Sequence, residues 1–181
     1  MKKNLMMLAA VLCCAMTLPM LVSCTKDDVK TPVEDTKPAA AVMGYTLSVN
    51  DQMLSQLTLT VEYYDADGQV KSEQMTQNNW TKSVKTKLPA TFGVRLKAQV
   101  KPGTDPSGLE KFTVSCVFGY NGNAVTSSGN KVGETIMSSK TRGLDMAGSK
   151  VQEWTERNAG GIVTSLFTID ADGKVTNGNW E

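Results

Sequence analysis

Histidine is missing from all 181 residues. That removes the commonest general base and the commonest metal ligand. Cysteine is scarce as well: Cys13, Cys14, Cys24 and Cys116 are the full set. The first two fall in an apolar N-terminal stretch. With Cys24 placed at the start of a mature chain, Cys116 is left without a disulfide partner, so the domain must be held by its core. Dense basic clusters are lacking too. The formal charge is +1, and removing Lys2 and Lys3 with the N-terminal stretch leaves seventeen basic against eighteen acidic residues. A balance so near neutral argues against nucleic acid as a partner. Aromatic residues amount to 6%, but hydrophobic residues reach 40%, enough for one real core and too many for wholesale disorder.

The N-terminus reads as an export signal. Lys2 and Lys3 give a short positive start, and Leu5 to Met20 is an apolar run interrupted by Pro19. The run is too short and broken for a retained membrane helix. It ends in Leu21-Val22-Ser23-Cys24, which resembles the bacterial lipobox. That resemblance implies removal of residues 1–23 and acylation of the Cys24 thiol, with a lipid bilayer as partner through the acyl chains. Behind it, Lys26, Asp27 and Asp28 resemble the charged export tag of Bacteroidetes surface lipoproteins. This implies the outer face of the outer membrane, with a periplasm-facing anchor as the alternative.

Residues 24–41 form an expected flexible tether: polar, with Pro32 and Pro38 and no apolar periodicity. The domain is expected over 42–181. Leu57, Leu59, Val61 and Tyr63 alternate with polar neighbours, as do Phe92 to Val100 and Phe112 to Phe118. A period of two puts each apolar set on one face of a strand. Tyr45, Leu47 and Val49 begin another strand. Ile162 to Ile169 is apolar in both registers, as expected of a strand covered on both sides. Asn50-Asp51 is expected to close a hairpin, as are Asp67-Gly68 and Asp172-Gly173, the last two as two-residue turns. The Gly-, Ser-, Asn- and Lys-rich segment 121–148 reads as a long surface loop. Ser149 and Gln152 have capping-box spacing, and Asn158 with Gly160-Gly161 gives a stop, so a short helix is expected near 150–157. The fold expected is an antiparallel β-sandwich, immunoglobulin-like or transthyretin-like.

The tetrapeptide Asp-Ala-Asp-Gly occurs at 65–68 and again at 170–173. It invites a calcium reading, but the spacing fails. Lys174 and Val175 follow where an oxygen ligand and a glycine are needed, and Thr76 stands at the twelfth position from Asp65. No metal and no cofactor are expected. Cys116 reads as a small core residue. Glu62, Asp65, Asp67 and Asp170 are of the type a glycosidase needs, although nothing in their spacing marks a pair, and no catalytic residue is expected. Tyr64, Trp80 and Trp180 stand outside the clearest alternations. Their rings could stack on sugars and an indole N–H could anchor a hydroxyl, which makes them the candidate ligand-binding residues. Trp154 is expected to dock the helix onto the sandwich.

The segment from Leu57 to Gly68, Trp80, and Leu88 to Val94 resembles small lipoproteins of gut Bacteroidetes. The resemblance covers about half the domain. It implies a lipid-anchored β-sandwich, in a group some of whose members sit beside polysaccharide-uptake systems, and it assigns no functional residue. The function expected is non-catalytic binding of a glycan or an envelope protein at the cell surface. An assembly component of the envelope is the alternative, and a small hydrolase comes after it.

Overall fold

A computed structural model describes residues 35–180. The expected lipidation residue Cys24, the lipobox residues Leu21, Val22 and Ser23, and the charged cluster Lys26, Asp27 and Asp28 lie outside the described residues. Among the described residues the strands are β1 (Ala40–Val49), β2 (Leu57–Tyr64), β3 (Val70–Gln74), β4 (Asn79–Lys87), β5 (Ala90–Val100), β6 (Phe112–Val125), β7 (Lys131–Met146), β8 (Val163–Ile169) and β9 (Val175–Gly178). Two short helices interrupt them, α1 (Asp51–Gln56) and α2 (Val151–Arg157).

All pairings are antiparallel. They build a four-stranded sheet in the order β4-β1-β6-β7 and a five-stranded sheet in the order β3-β2-β5-β8-β9. The two enclose one core, which is the β-sandwich the alternation predicts. Ala41, Met43, Tyr45, Leu47 and Val49 of β1 face Leu57, Leu59, Val61 and Tyr63 of β2 and Phe92, Val94, Leu96 and Ala98 of β5 within it. Each of these side chains is buried. Burying one large apolar side chain favours folding by roughly 1.5–3 kcal/mol, so the period-two pattern fixes both the register and the inward face. Phe92 and Phe167 stack at 5.8 Å within the five-stranded sheet, and Tyr120 of the opposite sheet stacks on Phe167 at 5.2 Å.

Several expectations are corrected. Residues 121–148 are not a surface loop. β6 runs on to Val125 and β7 returns along it for sixteen residues. The turn between them is built by Thr126 and Gly129: the Thr126 N–H donates to Asn130 O at 2.8 Å, and Gly129 takes φ +89°. Because β7 is an edge strand with little of either face buried, its sequence is polar in both registers and hides the period. Asn50-Asp51 does not close a hairpin. Asn50 caps α1, accepting from Met53 N–H at 3.1 Å and donating to Thr113 O at 2.8 Å, and the chain then crosses to the other sheet.

Asp67-Gly68 and Asp172-Gly173 do close hairpins, but as three-residue loops. Only the glycine has positive φ in each, +72° and +82°. The Ser149 capping box does not form either; α2 starts at Val151 without a side-chain cap and ends at Asn158, whose amide donates to Trp154 O at 2.8 Å. β8 is covered on both sides only in part, for Thr164 and Thr168 are exposed. Finally, Ala40 and Ala41, expected in the tether, are the first residues of β1. Just before them, Asp35 accepts a hydrogen bond from Ser127 Oγ at 2.5 Å.

Candidate functional site

The candidate ligand-binding aromatics fall in two places. Tyr64 and Trp180 come together on the outer face of the five-stranded sheet, ring centroids 5.2 Å apart and tilted by 40°. Trp180 follows β9 and is held from three directions. Its indole N–H donates to Ser165 O at 2.9 Å. The Arg95 guanidinium lies 4.5 Å from its ring centroid, a cation–π contact. Its ring also rests over Gly93, where a Cβ would stand 3.0 Å from Trp180 Cζ2 and 2.6 Å from Leu166 Cδ1. Leu166, the outward apolar residue of β8, lies half-buried on the same side of Gly93 as Trp180.

Arg95 is fixed in turn by Glu62, at 2.5 Å from its Nε, and Lys97 reaches the other carboxylate oxygen at 3.0 Å. Burial opposes ionisation of Glu62, but the hydrogen bonds from Arg95 and Lys97 outweigh it and hold the carboxyl below the usual range.

Trp80 is elsewhere, at the edge where β3 and β4 meet. Its indole N–H donates to Glu73 Oε2 at 2.8 Å. The other oxygen of Glu73 accepts from Tyr63 Oη at 2.6 Å and Lys82 Nζ at 2.5 Å. β3 belongs to one sheet and β4 to the other, so this one carboxylate ties the two sheets together. The hydrogen bond from Lys82, then those from Tyr63 and Trp80, hold the Glu73 carboxyl at about 2, and the same contact raises Lys82 to about 12. Both indole N–H groups are therefore engaged within the protein, so neither Trp80 nor Trp180 offers a ligand that donor.

Beside Trp180 lies a cleft of about 330 Å³. Its walls come from both sheets: Lys140 of β7 and Tyr120 of β6 on one side, Thr164, Ser165 and Leu166 of β8 on the other, with Asn177, Gly178 and Asn179 around β9. Lys140 Nζ spans the opening to Thr164 O at 3.2 Å. A second cavity of about 500 Å³ shares Tyr120 and Asn177 with the first and continues between β7 and β9 past Ile136, Glu134 and Lys174. The two lie side by side along the edge where β7 faces β9. Sequence reasoning missed Lys140, Asn177 and Asn179. The hairpin signal Thr126-Ser127-Ser128-Gly129 could have located β7 and hence Lys140; nothing in the sequence links the two asparagines to Trp180.

A shallow trough of about 610 Å³ crosses the outer face of the four-stranded sheet, floored by Gly44 and Gly119 and edged by Thr46, Thr81, Ser83, Asn121 and Ser139. It offers hydroxyls, one amide and the exposed Met137 side chain, with Lys82 also in its wall. The rings of Tyr45 and Tyr120 belong to the core side, the first buried and the second stacked on Phe167.

Asp65 and Asp170 each hold the loop they open. Asp65 Oδ1 accepts from Asp67 and Gln69 N–H, both at 2.9 Å, and Asp170 Oδ1 does the same with Asp172 and Lys174. Cys116 is buried, and that burial pushes its thiol up. Trp154 packs in the core beneath α2, as expected. Among the described residues no group of three or more Cys, Asp or Glu side chains could hold a metal ion, and no helix is long and apolar enough to cross a membrane. The fold and its cleft define a β-sandwich with an aromatic-walled slot between its edge strands. Comparison with protein-family models, with curated proteins and with solved structures found no match.

Proposed function

We propose that the chain is a non-catalytic surface lipoprotein that binds a glycan in the Trp180 cleft. Acylated Cys24, after the lipobox Leu21-Val22-Ser23, would hold it to the outer membrane, and Lys26, Asp27 and Asp28 would route it to the outer face. The observation that carries the binding reading is the immobilised Trp180 ring beside two amide side chains, three hydroxyl-bearing residues and an ammonium. A fixed aromatic wall with a few converging polar groups is what sugar recognition uses: the C–H faces of the ring stack and the hydroxyls find partners. A pre-set indole loses little freedom when the ligand arrives.

The downward shifts of Glu62 and Asp65 argue against either of these two as a glycosidase's general acid, which needs a raised carboxyl. Asp65 is lowered chiefly by the hydrogen bond from Gln69 N–H.

One observation favours the second reading, an assembly component. β7 pairs only with β6 among the described residues, so one edge of a sixteen-residue strand is free for pairing with another chain. The two readings separate in one experiment. The full-length chain and its Trp180→Ala variant are titrated with soluble polysaccharides, and cells expressing each are cross-linked. Saturable sugar binding lost in the variant supports the glycan reading. Cross-linking to an envelope protein without sugar binding supports assembly and overturns the glycan reading. Metabolic labelling with palmitate, lost in Cys24→Ser, tests the anchor.

A further inference from the structure

We propose that the glycan is a linear, carboxylate-bearing polysaccharide laid lengthwise in the slot between β7 and β9; this rests on the glycan reading above. Two observations carry it, one of charge and one of length.

Lys140 is the one charged residue among the described residues lining the Trp180 cleft, and no carboxylate lines it. Its ammonium is positioned at the mouth by the 3.2 Å hydrogen bond to Thr164 O. That bond uses one of three N–H donors, so two remain for a ligand. Asn177 and Asn179 add amide donors on the β9 side. A sugar ring against Trp180 with a carboxylate toward Lys140 makes a charge-assisted hydrogen bond, roughly twice as strong as a neutral one. A neutral sugar's hydroxyl can also accept from the ammonium, but without the opposite charge that makes the contact an ion pair.

The length follows from topology. The cleft and the second cavity lie next to each other and share Tyr120 and Asn177 in their walls. From Val175 to Trp180 an extended chain covers about 17 Å at the rise of a β-strand, more than one sugar ring fills. Beyond Asn177 the lining carries Glu134 and Lys174, which balance each other. Charge selection therefore belongs to the Trp180 end, and the remainder of the slot holds length.

The test uses the full-length chain in detergent, titrated with galacturonic acid and its oligomers of two to four units. Polygalacturonate, alginate and hyaluronate serve as acidic polymers; dextran and mannan serve as neutral ones. The proposal expects acidic polymers to bind and neutral ones to bind at least about ten-fold more weakly, an energy of about 1.4 kcal/mol. It expects affinity to rise with oligomer length, and Lys140→Met to lose the preference while Lys140→Arg keeps it. Lys140 is exposed, so its variants should unfold with the parent. Neutral and acidic polymers bound equally, with Lys140→Met silent, would overturn the acidic assignment and leave the glycan reading standing. Affinity already complete with the monosaccharide would overturn the lengthwise placement. Binding to none of the polymers would overturn both this inference and the reading it rests on.

Discussion

Gly93 and Trp180 form a pair in which the missing side chain of one makes room for the ring of the other. The glycine has an ordinary strand conformation; what it supplies is close approach. In Gly93→Ala the new Cβ would stand 2.6 Å from Leu166 Cδ1 and 3.0 Å from both Ser165 O and Trp180 Cζ2, so the Leu166 side chain and the indole must both shift. We expect a stability loss of roughly 1–3 kcal/mol from overpacking, read by thermal denaturation. The same variant should weaken polysaccharide binding, because the added methyl displaces the Leu166 and Trp180 side chains that line the cleft.

Glu73 is the second residue on which much depends. Removing it leaves the Trp80 indole, the Tyr63 hydroxyl and the Lys82 ammonium without their shared acceptor. The carboxylate is about a third exposed, which weakens each contact, so Glu73→Gln should cost about 1 kcal/mol. The pH dependence has a definite sign. A carboxyl lowered from 4.5 to about 2 contributes stability that is fully present above its unfolded value. That contribution is lost as pH falls from about 4.5 toward 2, and the Gln variant should show a flatter stability curve over that window. Lys82, raised to about 12, contributes below its unfolded value of 10.5 and loses that contribution as pH rises through 12.

Three hairpin loops of this fold are one device used three times. In residues 65–69, 126–130 and 170–174 the first residue donates its N–H to the carbonyl of the fifth. The fourth residue is a glycine at positive φ whose N–H returns to the first carbonyl. The first side chain, Asp65, Thr126 or Asp170, accepts from the fifth N–H. This is a type I turn completed by a left-handed residue, the common three-residue hairpin. Gly129→Ala should therefore cost about 1 kcal/mol, since alanine at φ +89° is strained with no contact to relieve it.

The device also explains which elements could be read from the sequence. Asp-Ala-Asp-Gly is conspicuous, and both hairpins it closes were legible, although as two-residue turns. Thr126-Ser127-Ser128-Gly129 does the same with a hydroxyl in place of the carboxylate and passes for loop composition. β1, β2, β5 and the first part of β6 were legible because one face of each is buried. β7 was not, since an edge strand with most side chains exposed is under no pressure to alternate. α1 was missed because six residues carry too little periodicity. Its one signal was Asn50, which caps a helix as readily as it enters a turn. Asn50→Ala should destabilise the protein by about 1 kcal/mol through the lost cap, and by more if Thr113 O is left without a partner.

At the scale of the whole molecule the sandwich has one clasped side and one open side. Where β3 meets β4, Glu73 joins the sheets through three donors. Where β7 faces β9, the strands do not pair, and Lys140 crosses to Thr164 beside the cleft. Strength and access are thus placed at opposite edges. The candidate site was legible only in part: the sequence singled out Tyr64 and Trp180, but their meeting depends on β2 lying beside β5 in the sheet and on β9 carrying Trp180 back across Gly93. Trp80 was singled out for the same reason and serves the clasp. Variants at the two edges should separate accordingly, with Glu73→Gln lowering the melting temperature and leaving polysaccharide affinity unchanged.

The most direct measurement is the indole N–H region of a ¹⁵N-resolved NMR spectrum of the full-length chain, which holds one resonance for each of Trp80, Trp154 and Trp180. These are assigned by single Phe substitutions and followed as an acidic polysaccharide is added. With a glycan seated beside Trp180, its resonance shifts saturably while those of Trp80 and Trp154 stay in place. Movement of Trp80 with Trp180 still, or no movement at all across the acidic and neutral polymers, would contradict that placement.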